Sequence, residues 1–219
     1  MNFSKNLEAY IPLVDFIADI IGPHCEVLLH NIEGVENSVI AIRNGYISGR
    51  YIGCPLTDLG LKLLENKCYL RSNAMINYRS QTESGEKLIS STYYVKSECG
   101  ELIGMLCVNI LDSRENYNNH TNIVDGYLNN MFNHTESVSD SDDVQESLSS
   151  SLDHVIENEI AKVLSMYNVT SERLSTEEKN QAVQALRQNG ILKIKGAITK
   201  VATALKTSES TIYRYLSTK

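Results

Sequence analysis

The sequence predicts an α+β protein: a small antiparallel sheet with flanking helices, followed by an all-α helix-turn-helix domain. Three observations carry this. Five strand-like runs cluster between residues 25 and 111, an acidic Ser- and Asp-rich stretch occupies 134–151, and helical periodicity returns from 152 onward. Charge divides the same way. Across 219 residues the formal net charge is −7, yet beyond residue 190 Lys193, Lys195, Lys200, Lys206, Arg214 and Lys219 face Glu209 alone. A basic end on an acidic body suggests an anion-binding module joined to something else. Composition is that of an ordinary globular chain, with 42% hydrophobic and 21% charged residues, which excludes collagen-like, wholly disordered and disulfide-scaffold classes.

The elements follow in order. Leu7, Tyr10, Ile11, Val14, Ile17, Ala18 and Ile21 recur at helical spacing, so residues 3–21 read as an amphipathic helix stopped by Gly22-Pro23. Strands are expected at 25–30, 37–42, about 68–79, 87–97 and 101–111, the later ones joined by turns at Ser84-Gly85 and Glu98-Cys99-Gly100. Thr57 suits the N-cap of a short helix over 58–66. Short helices on one face of the sheet would bury this pattern. A helix over 119–133 completes a first domain at 1–133. The next segment, 134–151, has no Lys or Arg and reads as a flexible, self-repelling linker.

The second domain, 152–219, opens with a helix to about Tyr167. Ser175-Thr176-Glu177-Glu178 is a capping box starting another, which stops at Asn189-Gly190. Residues 197–216 have helix-turn-helix spacing: Val201, Ala202 and Leu205 face inward, Lys206-Thr207 turns, Ser208 caps, and Ile212, Tyr215 and Leu216 close the core. The outward face of the second helix then presents Ser208, Glu209, Ser210, Thr211, Tyr213 and Arg214 to base edges, and Lys195, Lys200 and Lys206 lie where phosphates would run. Two features depart from the usual pattern. Glu209 puts an acid on the reading face, and Lys206 stands where a turn glycine is common.

The motif NGYISGRYIGCPLTDLGL at 44–61, with EVLLHN at 26–31 and GELIGMLCVNIL at 100–111, resembles the YheO-like family of bacterial transcriptional regulators, which includes the D-arginine utilization repressor. The family's GR-x-x-G-x-P-x-TDL pattern falls on Gly49, Arg50, Gly53, Pro55, Thr57, Asp58 and Leu59, and its G-x-L-C-x-N on Gly104, Leu106, Cys107 and Asn109. Its C-terminal pattern runs from Lys195 to Leu216. The resemblance implies a PAS sensor domain, a helix-turn-helix that binds a double-stranded DNA operator, and a cytoplasmic homodimer.

For the sensor, Arg50 suits bidentate capture of a carboxylate, and His30, Tyr93, Cys107 and Asn109 are candidates to line a cavity with it, for an effector such as an amino acid or carboxylate. The simpler alternatives are that His30 bonds locally, Arg50 pins the loop to Asp58, and Cys107 packs. No haem, flavin or metal set is legible, so no cofactor is expected. No GxSxG, P-loop, HExxH or kinase set occurs, which argues against an enzyme. The five cysteines form no CxxC pair, and neither a signal peptide nor a membrane-spanning run is evident, so a cytoplasmic chain with reduced thiols and no membrane partner is expected. The rival reading is a sensor whose C-terminal bundle binds a protein rather than DNA.

Overall fold

The computed structural model describes residues 3–112, 145–167 and 169–217. The helix expected over 119–133 and the first part of the expected linker lie outside the described residues. At the N-terminus, one expected helix is two: α1 (Phe3–Glu8) and α2 (Ile11–Ile21). Pro12 explains the break, since it has no N–H to donate back to Glu8 and its ring crowds that carbonyl.

Strands β1 (Cys25–Asn31), β2 (Val39–Arg43), β3 (Ala74–Thr82), β4 (Lys87–Lys96) and β5 (Leu102–Leu111) pair antiparallel, with β5 central between β1 and β4. The third starts later than expected because Cys68–Leu70 forms a 3-10 turn. A sixth strand, β6 (Gln145–Leu148), runs parallel to β3, giving a curled mixed sheet in the order β2-β1-β5-β4-β3-β6. This strand lies in the stretch expected to be linker. Average composition hid it, because only Leu148 is apolar; its side chain is fully buried against Ile47 and Leu88. Ser149 and Ser150 then tie to the Glu83 carboxylate in the β3–β4 turn, at 2.5 and 3.2 Å. At the opposite edge the Gly53-Cys54 loop covers β2: Val39 N–H donates to the Cys54 carbonyl and Gly53 N–H to that of Val39, at 3.1 and 2.8 Å.

Helices cover both faces, not one. Cys25, Val27 and Leu29 pack with Leu7, Val14 and Ala18 of α1 and α2, while Leu28, Met105 and Cys107 point the other way. A run such as CEVLLH, buried at every position from Cys25 to His30, requires that double cover. On the second face lies α3 (Asp58–Glu65), whose Thr57 hydroxyl accepts from Gly60 N–H at 3.1 Å.

Next come α4 (Leu152–Ser165), α5 (Thr176–Gln188), α6 (Ala197–Ala204) and α7 (Glu209–Ser217). The capping box at Ser175 and Glu178 forms in full. The apolar core does not stop at the linker: it continues from Leu28, Leu59 and Leu63 through Val155 and Val163 to Leu186, Val201 and Ile212. Gly190 meets α3 closely, and a Cβ there would lie 3.1 Å from the Leu61 carbonyl oxygen. The C-terminal helices thus pack on the sheet domain in a continuous core.

Candidate functional site

Strand parity gathers a polar cluster inside the second face of the sheet. Register sets Glu26 opposite Asn109, Leu28 opposite Cys107, and Cys107 opposite Thr92. The Glu26 carboxylate accepts from the Asn109 amide at 2.8 Å and from the Ser48 hydroxyl. Burial raises its pKa, opposed by those two bonds and by the charge of Arg50. His30 Nδ1 lies 2.7 Å from the Ser38 hydroxyl, which donates to the Cys54 carbonyl. Burial, aided by the Arg50 charge, holds the His30 pKa well below its usual range, so the imidazole is neutral.

Arg50 is 3% exposed, and its Nη2 donates to the Pro55 carbonyl at 2.5 Å. It does not pin the loop to Asp58, whose Oδ1 instead accepts from Leu59 N–H and Ser147 N–H at 2.8 and 3.1 Å. Arg50 Nε and Asn109 Oδ1 are both buried without a hydrogen-bond partner. A buried donor on a cation and a buried amide acceptor, each unpaired, are costly unless something occupies the space between protein groups. The Cys107 thiol, 3.3 Å from the Thr92 hydroxyl, is pushed up to about 12 by burial and is inert.

Four of the five expected sensor residues, Arg50, His30, Cys107 and Asn109, therefore share this interior. Tyr93 does not. It pairs with Leu106 on the opposite face and is 47% exposed, while Tyr78 supplies the buried phenol, 2.8 Å from the Thr92 hydroxyl. Tyr93 and Tyr94 are adjacent, and alternation alone does not say which turns inward.

Two members were missed by sequence reasoning. Glu26 carried a faint signal, an acid inside an apolar strand at the parity of His30. Glu146 carried none, since it lies among Ser and Asp. Its carboxylate is buried, accepts from the Thr57 hydroxyl at 2.5 Å, and has its pKa raised to about 7 by burial, countered first by that bond.

At the other end, α6 and α7 form the helix-turn-helix. Lys206 takes the left-handed conformation at φ 49°, which accommodates a residue other than glycine at a cost, and Thr207 N–H donates to the Ala202 carbonyl at 2.9 Å. The Ser208 hydroxyl accepts from Thr211 N–H at 3.3 Å. Ser208, Glu209, Ser210, Tyr213 and Arg214 are exposed and Thr211 is half-buried. Glu209 accepts from the Thr199 hydroxyl at 2.7 Å, so the acid on this face has a local role joining the two helices. Arg214 lies over the Tyr215 ring, 5.7 Å from its centroid.

The flanking lysines are differently placed. Lys206 is exposed, but Lys200 pairs with Asp153 and Glu157 of α4 at 2.9 and 2.6 Å. Lys195 is exposed and its backbone N–H donates to Glu36 of the sheet domain at 3.3 Å, while the neighbouring Lys193 pairs with Glu65 of α3.

Comparison with known proteins matches residues 1–129 to the YheO-like PAS domain and residues 155–217 to an HTH domain. The chain belongs to the YheO-like family. It is 30% identical to YheO of Escherichia coli strain K12 over 96% of this chain and 83% of that protein, and 28% identical to an uncharacterized protein of Haemophilus influenzae over 96% and 89%. The YheO-like PAS match covers Glu26, His30, Arg50, Cys107 and Asn109, and the HTH match covers Lys195 through Arg214. Glu146 falls between the two. No helix among the described residues is long and apolar enough to cross a membrane.

Proposed function

We propose that this YheO-like chain is a one-component transcriptional regulator: its PAS domain binds a small effector in the polar cluster around Arg50, and its helix-turn-helix binds operator DNA accordingly. The observation that carries the reading is the exposed, capped face from Ser208 to Arg214 within a region that matches an HTH domain. The paired arrangement of such domains supports regulation, and no catalytic role or cofactor is assigned.

The effector class is an amino acid or small carboxylate, because the unpaired Arg50 Nε offers a charged donor in a water-poor interior. Binding there shifts the population between arrangements of the sheet and the helices docked on it. Two copies on a palindromic site place their recognition helices about one helical turn apart.

Selection of the full chain from a random double-stranded DNA pool tests the reading. An enriched palindrome, bound with an affinity that falls with salt by a slope of about 0.9 per phosphate contact, is the expected result. Arg214→Ala and Thr211→Ala are expected to weaken that binding; unchanged affinity in both would remove α7 as the reading helix.

A further inference from the structure

Resting on that reading, we propose that Glu146 is the residue through which the sensor interior controls the DNA-binding domain, and that β6 is a strap whose seating keeps that domain in a low-affinity form. Four features converge on this. First, Glu146 belongs to the sensor interior by contact: it accepts from Thr57 and lies within electrostatic reach of Arg50, Tyr78 and Cys107. Second, it belongs to the DNA-binding domain by chain, since only Ser149, Ser150 and Ser151 separate β6 from α4.

Third, the seat of β6 is also the seat of α4. Asp58 at the start of α3 accepts from Ser147 N–H with one oxygen and pairs with Lys162 of α4 through the other. A groove of about 430 Å3 between them is lined by Glu146, Ser147, Asn158 and Lys162. Fourth, with α4 seated, the basic approach to the helix-turn-helix is engaged by acids. Lys193 is held by Glu65, the Lys195 backbone by Glu36, and Lys200 by Asp153 and Glu157. To reach the ammonium groups of Lys193 and Lys200, DNA phosphates would have to displace their acidic partners.

An effector anion on Arg50 competes with Glu146 for the same positive charge, which loosens the strap. The proton on Glu146 acts in the same place. The groups facing it are Arg50 from the loop after β2, Asp58 from α3, Tyr78 from β3, Cys107 from β5 and Lys162 from α4. Its pKa is raised in the seated strap, to about 7, and returns to the ordinary carboxylate range when the strap lifts. Seating is therefore most favourable when the carboxyl is protonated and weakens as pH rises from about 4.5 to about 7.

The test uses the full chain, wild type and Glu146→Gln, in two measurements. Hydrogen exchange of Gln145–Leu148 and of α4, corrected for intrinsic rates, is expected to speed up in the wild type between pH 5 and pH 7. In the variant, which keeps an acceptor for Thr57 but no charge, it is expected to stay slow, with protection at pH 7 roughly a hundredfold higher than wild type. Affinity for a DNA sequence selected with the wild-type chain is expected to fall in the variant at pH 7.

Wild-type exchange that is flat with pH would overturn the proposal without any variant. So would a variant that protects β6 yet binds DNA as wild type does. If the wild type selects no DNA sequence, the regulator reading itself fails, while the exchange profile still reports on the strap.

Discussion

Glu26 and His30 stand on one strand with their side chains in the same interior, and burial moves their titrations in opposite directions. His30 stays neutral in the fold, whereas in the unfolded chain it takes a proton below about 6.5. Its contribution to stability is lost as pH falls through that value. Glu26 and Glu146 have raised pKa values, so they penalise the fold as pH rises from about 4.5. Denaturation of His30→Gln against wild type at pH 5 and pH 7 is expected to move the difference in the variant's favour at the lower pH. Arg50 makes the complementary prediction for ligands. Among amino acids and small carboxylates, one that raises the melting temperature of the wild type is expected to leave Arg50→Ala unmoved; an equal shift in both would remove Arg50 from the site. Most of this interior was legible, because Arg50, His30, Cys107 and Asn109 are polar or small residues set in a turn-rich loop or apolar strands. Tyr93 was misassigned because two adjacent tyrosines leave strand parity ambiguous. Glu146 was invisible because its burial depends on a pairing partner more than sixty residues away.

At the scale of elements, close backbone approach makes sharper demands. A Cβ on Gly104 of β5 would fall on Leu7 of α1 and lie 2.6 Å from the His30 carbonyl oxygen. Gly104→Ala must therefore push α1 away or shift β1, and a loss of about 1–3 kcal/mol in denaturant unfolding is expected. Thr57→Ala removes both the N-cap of α3 and the hydroxyl that donates to Glu146. It is expected to cost about 1–2 kcal/mol, against about 1 kcal/mol for Ser175→Ala in the exposed capping box. Caps and turns were readable because they are local: Thr57, Ser175, Ser208 and Asn189-Gly190 each signal with neighbouring residues. The split of α1 from α2 is equally local, since Pro12 marks it, although the apolar stripe runs on across both helices. The double cover of the sheet was not local, as it depends on where the second domain packs.

At the scale of the whole molecule, a chain expected as two bodies on a tether shares one core from β1 to α7. Under the proposed regulator reading, that continuity makes DNA affinity a property of both domains. Glu65→Gln releases Lys193 from a PAS-domain acid and is expected to tighten DNA binding by about two- to fivefold, the range of an exposed ion pair. The gain is expected to shrink as salt rises, which an affinity series at increasing ionic strength would read directly. The proposed strap has one more consequence. In the seated form β6 covers the outer rim of β3 from Arg79 to Thr82, while the Gly53-Cys54 loop closes the far rim at β2. Lifting β6 uncovers a row of unpaired amides and carbonyls on β3, which is a template for strand addition from a neighbouring molecule. Release of the DNA-binding domain and exposure of an adhesive sheet margin are thus one event, and self-association should rise with concentration under the conditions that unseat the strap.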